Sequence, residues 1–208
     1  FRFRHSSVIC CVRYSWDGSY LASGANCVAN LFDARDGTLV GQFRDPESNV
    51  MENESDSYVR AVCFTPDGRS LVTGGEDHVV KIWDLNSRGI THRLLGHDSD
   101  IFSVDVSADG RLIASGSGDG SAKLWLAHNG KMLQTFGDPD YGPNDGVTGV
   151  VLSPNGQQLA MGSMDMTVRL WDTETGRLLR MLEGHQDSVY SVAFSPDGRS
   201  LLSGSLDK

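Results

Sequence analysis

One pattern recurs five times along the 208 residues and constrains the fold more than any other feature of the chain. Each copy places an Asp-Gly or Asn-Gly pair between short runs rich in β-branched and aromatic residues, which is typical of strands joined by tight turns. The pairs are spaced by 50, 42, 46 and 42 residues: Asp17-Gly18, Asp67-Gly68, Asp109-Gly110, Asn155-Gly156 and Asp197-Gly198. A repeat of this length predicts a series of equivalent units that stabilise one another by packing side by side.

The third copy shows the repeated unit most completely. Its turn signals are Asp109-Gly110, Asp119-Gly120 and Asn129-Gly130. They separate four predicted strands, at residues 101–106, 112–115, 122–125 and 132–135. Four such strands form an antiparallel meander, and one meander cannot cover both of its own faces, so each unit is expected to pack between neighbours.

The unit opens at Gly96-His97 and its third strand ends at Trp125, and with this period the repeat resembles the WD40 repeat. The resemblance covers the whole chain and implies an all-β WD40 β-propeller. We expect about 4.5 four-stranded blades of a seven-bladed ring, because the fifth copy stops after its second strand. The chain is therefore expected to be a fragment, and residues 1–208 expressed alone are expected to be insoluble or molten.

The repeat divides the chain into blades and two longer connections. Blades are predicted at residues 1–44, 58–95, 96–136 and 147–183, with a partial fifth blade at residues 184–208. The connections are an acidic segment at residues 45–57 and a surface loop at residues 137–146. The acidic segment holds five acidic and no basic residues, so we expect a mobile, solvated spacer whose carboxylates are not buried. An alternative is that these carboxylates steer a basic partner toward the protein.

Charge and composition argue against several classes of function. The net charge is −9, and the chain has no basic run with which to neutralise phosphates, so direct nucleic-acid binding is not expected. No apolar stretch approaches the length of a membrane span. Free thiols in a reducing compartment fit the cysteines best, and no metal or cofactor is predicted; the four are Cys10, Cys11, Cys27 and Cys63.

A histidine, a hydroxyl, an aspartate and a tryptophan recur together at the repeat period. The third copy has all four, and its Ser, His and Asp invite comparison with a hydrolase triad. A catalytic set is needed once, whereas a set that recurs in each unit indicates a buried structural tetrad, so no catalytic residue is predicted. The predicted tetrad residues are His97, Ser115, Asp119 and Trp125, then Thr73, Asp77 and Trp83, then His185, Ser203 and Asp207, with His5 and Ser23 in the first copy.

Three copies depart from this set. The first ends its third strand in Phe32-Asp33 rather than Trp-Asp, and its Asn26-Cys27 turn is one residue short. The second has Ser55 and the fourth has Pro143 where the histidine is expected. The fourth also has Met161 in place of the hydroxyl residue. These blades are expected to depend more on packing than on a complete hydrogen-bond network.

A narrower resemblance lies in the first copy, from His5 to Val40, with its adjacent cysteines, its short Gly-Ala-Asn turn and its missing tryptophan. This stretch, and the stretches from Ser57 to Asp77 and from His185 to Asp207, resemble the Tup-type general transcriptional corepressors of fungi, whose functional counterparts in animals are Groucho-type proteins. The resemblance implies a nuclear, non-enzymatic platform that docks DNA-bound repressors. It also implies a tetratricopeptide-repeat corepressor partner and histones, both bound through regions outside this chain.

Residues at the start of each innermost strand are expected to ring one mouth of the central channel. By repeat alignment the ring includes Cys10, Arg60, Phe102 and Tyr190, with Tyr58 just before its strand. Exposed aromatic residues beside an arginine suit a protein-binding hot spot, although Phe102 and Tyr190 could instead only fill the channel wall. The Tup-type resemblance implies that Cys10, Tyr58, Glu76 and Tyr190 match positions that contact repressors.

Two other classes of function remain as alternatives. One is a generic WD40 scaffold or a substrate-receptor subunit in signalling or ubiquitin ligation. The other is an enzyme, for which the chain lacks a cluster of catalytic residues outside the repeat. The adjacent cysteines and missing tryptophan of the first copy favour the corepressor, because generic repeats rarely carry them.

Overall fold

All regular structure in the described part of the chain is β-strand. The computed structural model describes residues 5, 7–47, 57–137 and 142–208. Within these residues it forms 18 strands and no helix, which confirms the predicted all-β class. Consecutive strands pair antiparallel into four four-stranded sheets and one two-stranded sheet, the arrangement of propeller blades.

The sheets follow one another along the chain. The first contains β1 (Cys11–Tyr14), β2 (Tyr20–Ala25), β3 (Val28–Asp33) and β4 (Leu39–Phe43). The second contains β5 (Val59–Phe64), β6 (Ser70–Gly75), β7 (Val80–Asp84) and β8 (Ile90–Leu94). The third contains β9 (Ile101–Val106), β10 (Leu112–Ser117), β11 (Ala122–Leu126) and β12 (Met132–Phe136). The fourth contains β13 (Val147–Leu152), β14 (Gln158–Ser163), β15 (Val168–Asp172) and β16 (Leu178–Leu182), and the last pairs β17 (Val189–Phe194) with β18 (Leu201–Ser205).

The turn after the first strand of each sheet explains why its sequence repeats. In the first sheet Asp17 Oδ1 accepts hydrogen bonds from Ser15 Oγ at 2.6 Å and from the Ser19 amide at 3.1 Å. Gly18 follows with φ 72°, a conformation that glycine adopts without a steric penalty. Hydrogen bonds from Ser15 and Ser19 lower the pKa of Asp17 to about 2, so the carboxylate stays ionised and holds the turn.

Stability comes from the surfaces between sheets. One apolar cluster joins the first and second sheets through Leu31, Phe43 and Phe64, and two similar clusters join the second to the third and the third to the fourth. Burying a side chain of this size contributes about 1.5–3 kcal/mol relative to leaving it exposed. The first strands of the sheets, which we call the inner strands, lie side by side: β1, β5, β9, β13 and β17.

The prediction that no carboxylate of the acidic segment is buried is wrong for Asp45. Residues 48–56 of the segment, and residues 138–141 of the predicted surface loop, lie outside the described residues. Asp45 is 8% exposed, and its carboxylate pairs with Lys81 Nζ and with Arg93 Nη2, each at 2.7 Å. Burial alone would raise the pKa of Asp45, but the hydrogen bond from Lys81 and the charge of Arg93 outweigh it and lower the pKa. The start of this segment therefore belongs to the packed structure, because two cations from the second sheet compensate its charge.

Candidate protein-docking surface

A buried hydrogen-bond network lies in the third sheet at the predicted tetrad. His97 Nδ1 lies 2.7 Å from Asp119 Oδ2, and His97 Nε2 lies 2.8 Å from Ser115 Oγ. The Ser115 oxygen accepts a hydrogen bond from Trp125 Nε1 at 2.9 Å. Burial alone would raise the pKa of Asp119, but hydrogen bonds from His97 and Ser121 hold it well below its usual range. Ser115 is 0% exposed, so a substrate has no path to its hydroxyl.

Parts of the same network recur in the other sheets. In the second, Trp83 Nε1 donates to Thr73 Oγ1 at 2.9 Å. In the last, His185 lies 2.7 Å from Asp207 and 2.8 Å from Ser203. In the first, His5 Nε2 lies 3.5 Å from Ser23 Oγ. In the fourth, Met161 supplies no hydroxyl, and Trp171 Nε1 has no hydrogen-bond partner among the described residues.

A buried cation reaches the turn aspartate in the two sheets whose repeats lack the histidine. Lys81 Nζ binds Asp77 as well as Asp45, and Arg169 Nη1 binds Asp165 at 2.8 Å. In the third sheet, where His97 binds the aspartate, Lys123 at the same repeat position instead binds Thr135 Oγ1 at 3.3 Å. Sequence reasoning missed that a lysine or arginine replaces the histidine as the partner of the turn aspartate. The signal was available, because both repeats that lack the histidine carry a cation two residues before the tryptophan.

Four of the predicted docking residues lie together at one end of the inner strands, and we call this end the upper mouth. The Arg60 guanidinium pairs with Glu76, and its central carbon lies 5.8 Å from the centre of the Phe102 ring. The other Glu76 oxygen accepts the Tyr58 amide at 3.0 Å. The Nε of Arg60 is buried and has no hydrogen-bond partner among the described residues. The arrangement holds the guanidinium between a carboxylate and an aromatic ring.

The two remaining predicted residues lie outside this cluster, Cys10 beside the first sheet and Tyr190 in the last. Cys10 is exposed and its amide donates to Gly24 O at 2.9 Å, while Tyr190 is 51% exposed on β17. Among the described residues, neither has a hydrogen bond or ring contact with the cluster. Sequence reasoning omitted Thr148, which repeat alignment places in the same ring and which is 7% exposed. It also omitted His78 and Asp100, which pair at 3.5 Å across the second and third sheets.

The described residues offer little for other chemistry. No group of three or more His, Cys, Asp or Glu side chains in the described ranges is arranged to hold a metal ion. In the same ranges there is no helix with the length and apolarity that a membrane crossing requires. Burial raises the pKa of the Cys11 thiol to about 12 and that of Cys63 to about 11, so neither supplies a thiolate nucleophile at neutral pH.

The sheets and their repeated networks define a WD40-repeat protein, and the sequence agrees. It matches the family described as WD domain, G-beta repeat, in five segments, and the chain belongs to this family: residues 2–33, 47–84, 89–125, 130–172 and 176–208.

Its similarity to individual proteins is narrower and confirms the Tup-type resemblance. The chain is 53% identical over 185 residues to General transcriptional corepressor tupA of Dictyostelium discoideum, an alignment that covers 89% of this chain and 31% of that protein. It is 36% identical over 150 residues to General transcriptional corepressor TUP1 of Saccharomyces cerevisiae, covering 49% of this chain and 21% of that protein. It is 30% identical over 134 residues to Protein groucho of Drosophila melanogaster, an alignment that covers 64% of this chain and 18% of that protein. The chain thus spans less than a third of the length of these relatives.

Proposed function

We propose that this chain is the non-enzymatic protein-interaction platform of a nuclear transcriptional corepressor, and that its upper mouth docks DNA-bound repressors. The similarity to proteins named as corepressors supports the class of function. A tetratricopeptide-repeat corepressor partner and histones would bind through other regions of the full-length protein.

The observation that carries the proposal is the cluster around Arg60. Glu76 and Phe102 fix the orientation of the guanidinium, so little side-chain entropy is left to lose when a partner binds. The Arg60 side chain nevertheless stays 38% exposed, so its guanidinium can donate to an acceptor on a partner. Arginine and aromatic side chains in one fixed cluster are the composition of a protein-binding hot spot.

The test uses the full-length protein and a purified DNA-bound repressor. We expect Tyr58→Ala and Phe102→Ala each to weaken binding by about tenfold or more, the range of a hot-spot truncation, while the melting temperature stays unchanged. Tyr190→Ala, outside the cluster on β17, is expected to weaken binding less. Arg199→Ala, in the turn between β17 and β18 at the far end of the inner strands, is the control and is expected to bind as the parent does.

Loss of binding together with an equal loss of stability would show that these aromatic residues only fill the channel wall. Unchanged binding in all three variants would exclude the upper mouth as the docking site. In that case the generic scaffold or substrate-receptor function would be favoured.

A further inference from the structure

A cavity of about 550 Å³ lies at the opposite end of the inner strands from the upper mouth. It is formed where β1, β5, β9, β13 and β17 end and where the turns after them begin, and we call this end the lower mouth. Its volume is within the range of about 300–1,000 Å³ that is typical of small-molecule sites. The lining residues that matter here are Arg13, Trp16, Asp105, Pro154, Phe194 and Pro196.

The lower mouth contains residues that the repeat itself does not require. Trp16 occupies the turn position that the other four copies fill with Pro66, Ala108, Pro154 and Pro196. Three residues before this turn position, the first copy has Arg13 and the third has Asp105, where the other copies have Cys63, Val151 and Ala193. The scaffold thus folds with small or apolar residues here, and the tryptophan and the charges need another explanation.

Trp16 is an exposed aromatic side chain in a fixed orientation. It is 58% exposed, and its indole Nε1 donates to Phe64 O at 3.2 Å. This bond anchors the ring over the end of β5 at the edge of the cavity. A rigid apolar ring that keeps most of its surface open is a stacking platform for a flat apolar group.

The charge that the cavity offers is positive. Asp105 Oδ2 accepts the Leu152 amide at 2.8 Å, and Oδ1 lies 3.4 Å from Arg13 Nη2 and 3.9 Å from the Cys63 thiol. Both oxygens of this buried carboxylate are therefore engaged, and burial raises its pKa. The Arg13 side chain is 50% exposed. Its partners among the described residues are the Asp105 carboxylate and the Cys63 thiol, which leaves other N–H donors of the guanidinium facing the cavity.

We propose that the lower mouth binds a ligand that combines a flat apolar group with one carboxylate. The carboxylate pairs with the exposed edge of Arg13, a charge-assisted contact that suits the guanidinium geometry. The apolar group lies against Trp16 and the surface formed by Pro154, Phe194 and Pro196. Both a small aromatic acid and the C-terminal residue of a peptide have this chemistry, and the site is separate from repressor docking at the upper mouth.

Calorimetric titration of the full-length protein tests the proposal with two pairs of probes. The first pair is 3-phenylpropionate and its uncharged amide, and the second is a short peptide ending in Phe with a free or an amidated C-terminus. We expect the free acid to bind at least about tenfold more tightly than the matched amide in one pair or both. The pair that shows the difference identifies the source of the ligand.

Variants connect the binding to the named residues. Trp16→Pro installs the residue that three other turns carry, so the turn is retained, and it is expected to weaken the acid about tenfold. The double variant R13Q/D105N removes the charge without leaving a buried carboxylate unpaired, and it is expected to abolish the preference for the acid. Arg180→Gln, at an exposed position on the outer strand β16, is the control and is expected to change neither the affinity for the acid nor the preference for it.

Two results would overturn the proposal. One is equal affinity of acid and amide in both pairs. The other is a preference for the acid that survives both the Trp16→Pro and the R13Q/D105N variants in protein that melts as the parent does.

Discussion

At the scale of single residues, the turn aspartate that follows the second strand in each of the last four sheets has a histidine, lysine or arginine nitrogen beside it. His97 and His185 bind Asp119 and Asp207, whereas Lys81 and Arg169 bind the aspartates of the second and fourth sheets. A buried carboxylate requires such compensation, because its desolvation is costly when no charge or donor balances it. The cation in the repeats without histidine therefore contributes to the stability of the fold.

Lys81→Met tests that contribution. The change removes the ammonium that lies between Asp45 and Asp77 and leaves a buried carboxylate with one cation fewer. We expect a loss of about 3–5 kcal/mol in the free energy of unfolding, measured by denaturant titration of the full propeller. Lys123→Met is the matched control. Among the described residues the hydrogen-bond partner of the Lys123 ammonium is the Thr135 hydroxyl at 3.3 Å, so we expect this change to cost less than about 1 kcal/mol. Equal losses in the free energy of unfolding for the two variants would contradict the account in which a cation replaces the histidine as the partner of the turn aspartate.

His97→Ala tests the network in the third sheet. It removes the group that links Ser115 and Asp119, and we expect a cost of about 1–3 kcal/mol in the free energy of unfolding. Repressor binding by the folded fraction is expected to persist, since the His97 side chain is buried. A variant that melts as the parent does but no longer binds would show that the residue is functional rather than structural.

The contribution of Asp119 depends on pH. Because its pKa is lowered in the folded state, its ionised form stabilises the protein above the unfolded pKa of about 4, and that contribution is lost as the pH falls toward the folded pKa. Asp119→Asn is therefore expected to cost most at neutral pH and progressively less below about pH 4. Thermal melts of both proteins from pH 7 to pH 3 measure the difference, and a cost that grows on acidification would contradict this origin.

At the scale of elements, the sequence predicts the strands well and their surroundings less well. The Asp-Gly and Asn-Gly pairs are local signals, and they place the inner strand of the third sheet at Ile101–Val106, as observed. The next strand was predicted to end at residue 115 but runs to Ser117, because Gly116 pairs with Ala122 and the Ser117 amide donates to Ser121 O at 3.1 Å. Such cross-strand bonds depend on register, which the local pattern does not fix.

The acidic segment shows the same limit and leads to a prediction. The burial of Asp45 depends on Lys81 and Arg93, which are distant in sequence and close only in the folded protein. Replacing residues 48–56 with a short Gly-Ser turn is expected to change the melting temperature by less than about 3 °C, because loop length alters closure entropy only slowly. Asp45→Ala is expected to lower it clearly, by about 4 °C or more, since it leaves two cations without their shared carboxylate. If replacing residues 48–56 lowers the melting temperature as much as Asp45→Ala does, the conclusion that only the start of the segment stabilises the fold is refuted.

The acids of this segment also allow a test of steering. Replacing Glu52, Glu54 and Asp56 with Gln and Ser is expected to leave the association rate of a basic repressor domain unchanged at low salt, as a spacer would. A clear drop in that rate, measured by stopped flow, would favour electrostatic steering instead.

At the scale of the whole molecule, the repeat predicts more than the site. Its period gave the sheet order and the position of the upper mouth, because equivalent strand starts have to meet around a common axis. The pairing of Arg60 with Glu76 and its stacking on Phe102 could not be predicted, since neither follows from the repeat. Thr148 occupies the same repeat position as Phe102 yet is buried, where its hydroxyl bonds Gly162 O at 3.1 Å. Residues at equivalent positions of the repeat therefore lie at equivalent places in the ring, but they differ in how exposed their side chains are.

Hydrogen–deuterium exchange on the full-length protein, with and without a purified DNA-bound repressor, tests the docking of repressors most directly. We expect the repressor to slow amide exchange at the upper mouth, in residues 57–60, 75–78 and 100–103, and to leave the turns at residues 15–19 and 195–200 unchanged. Slower exchange confined to those lower turns, or no change in either set while the repressor is demonstrably bound, would contradict docking at the upper mouth.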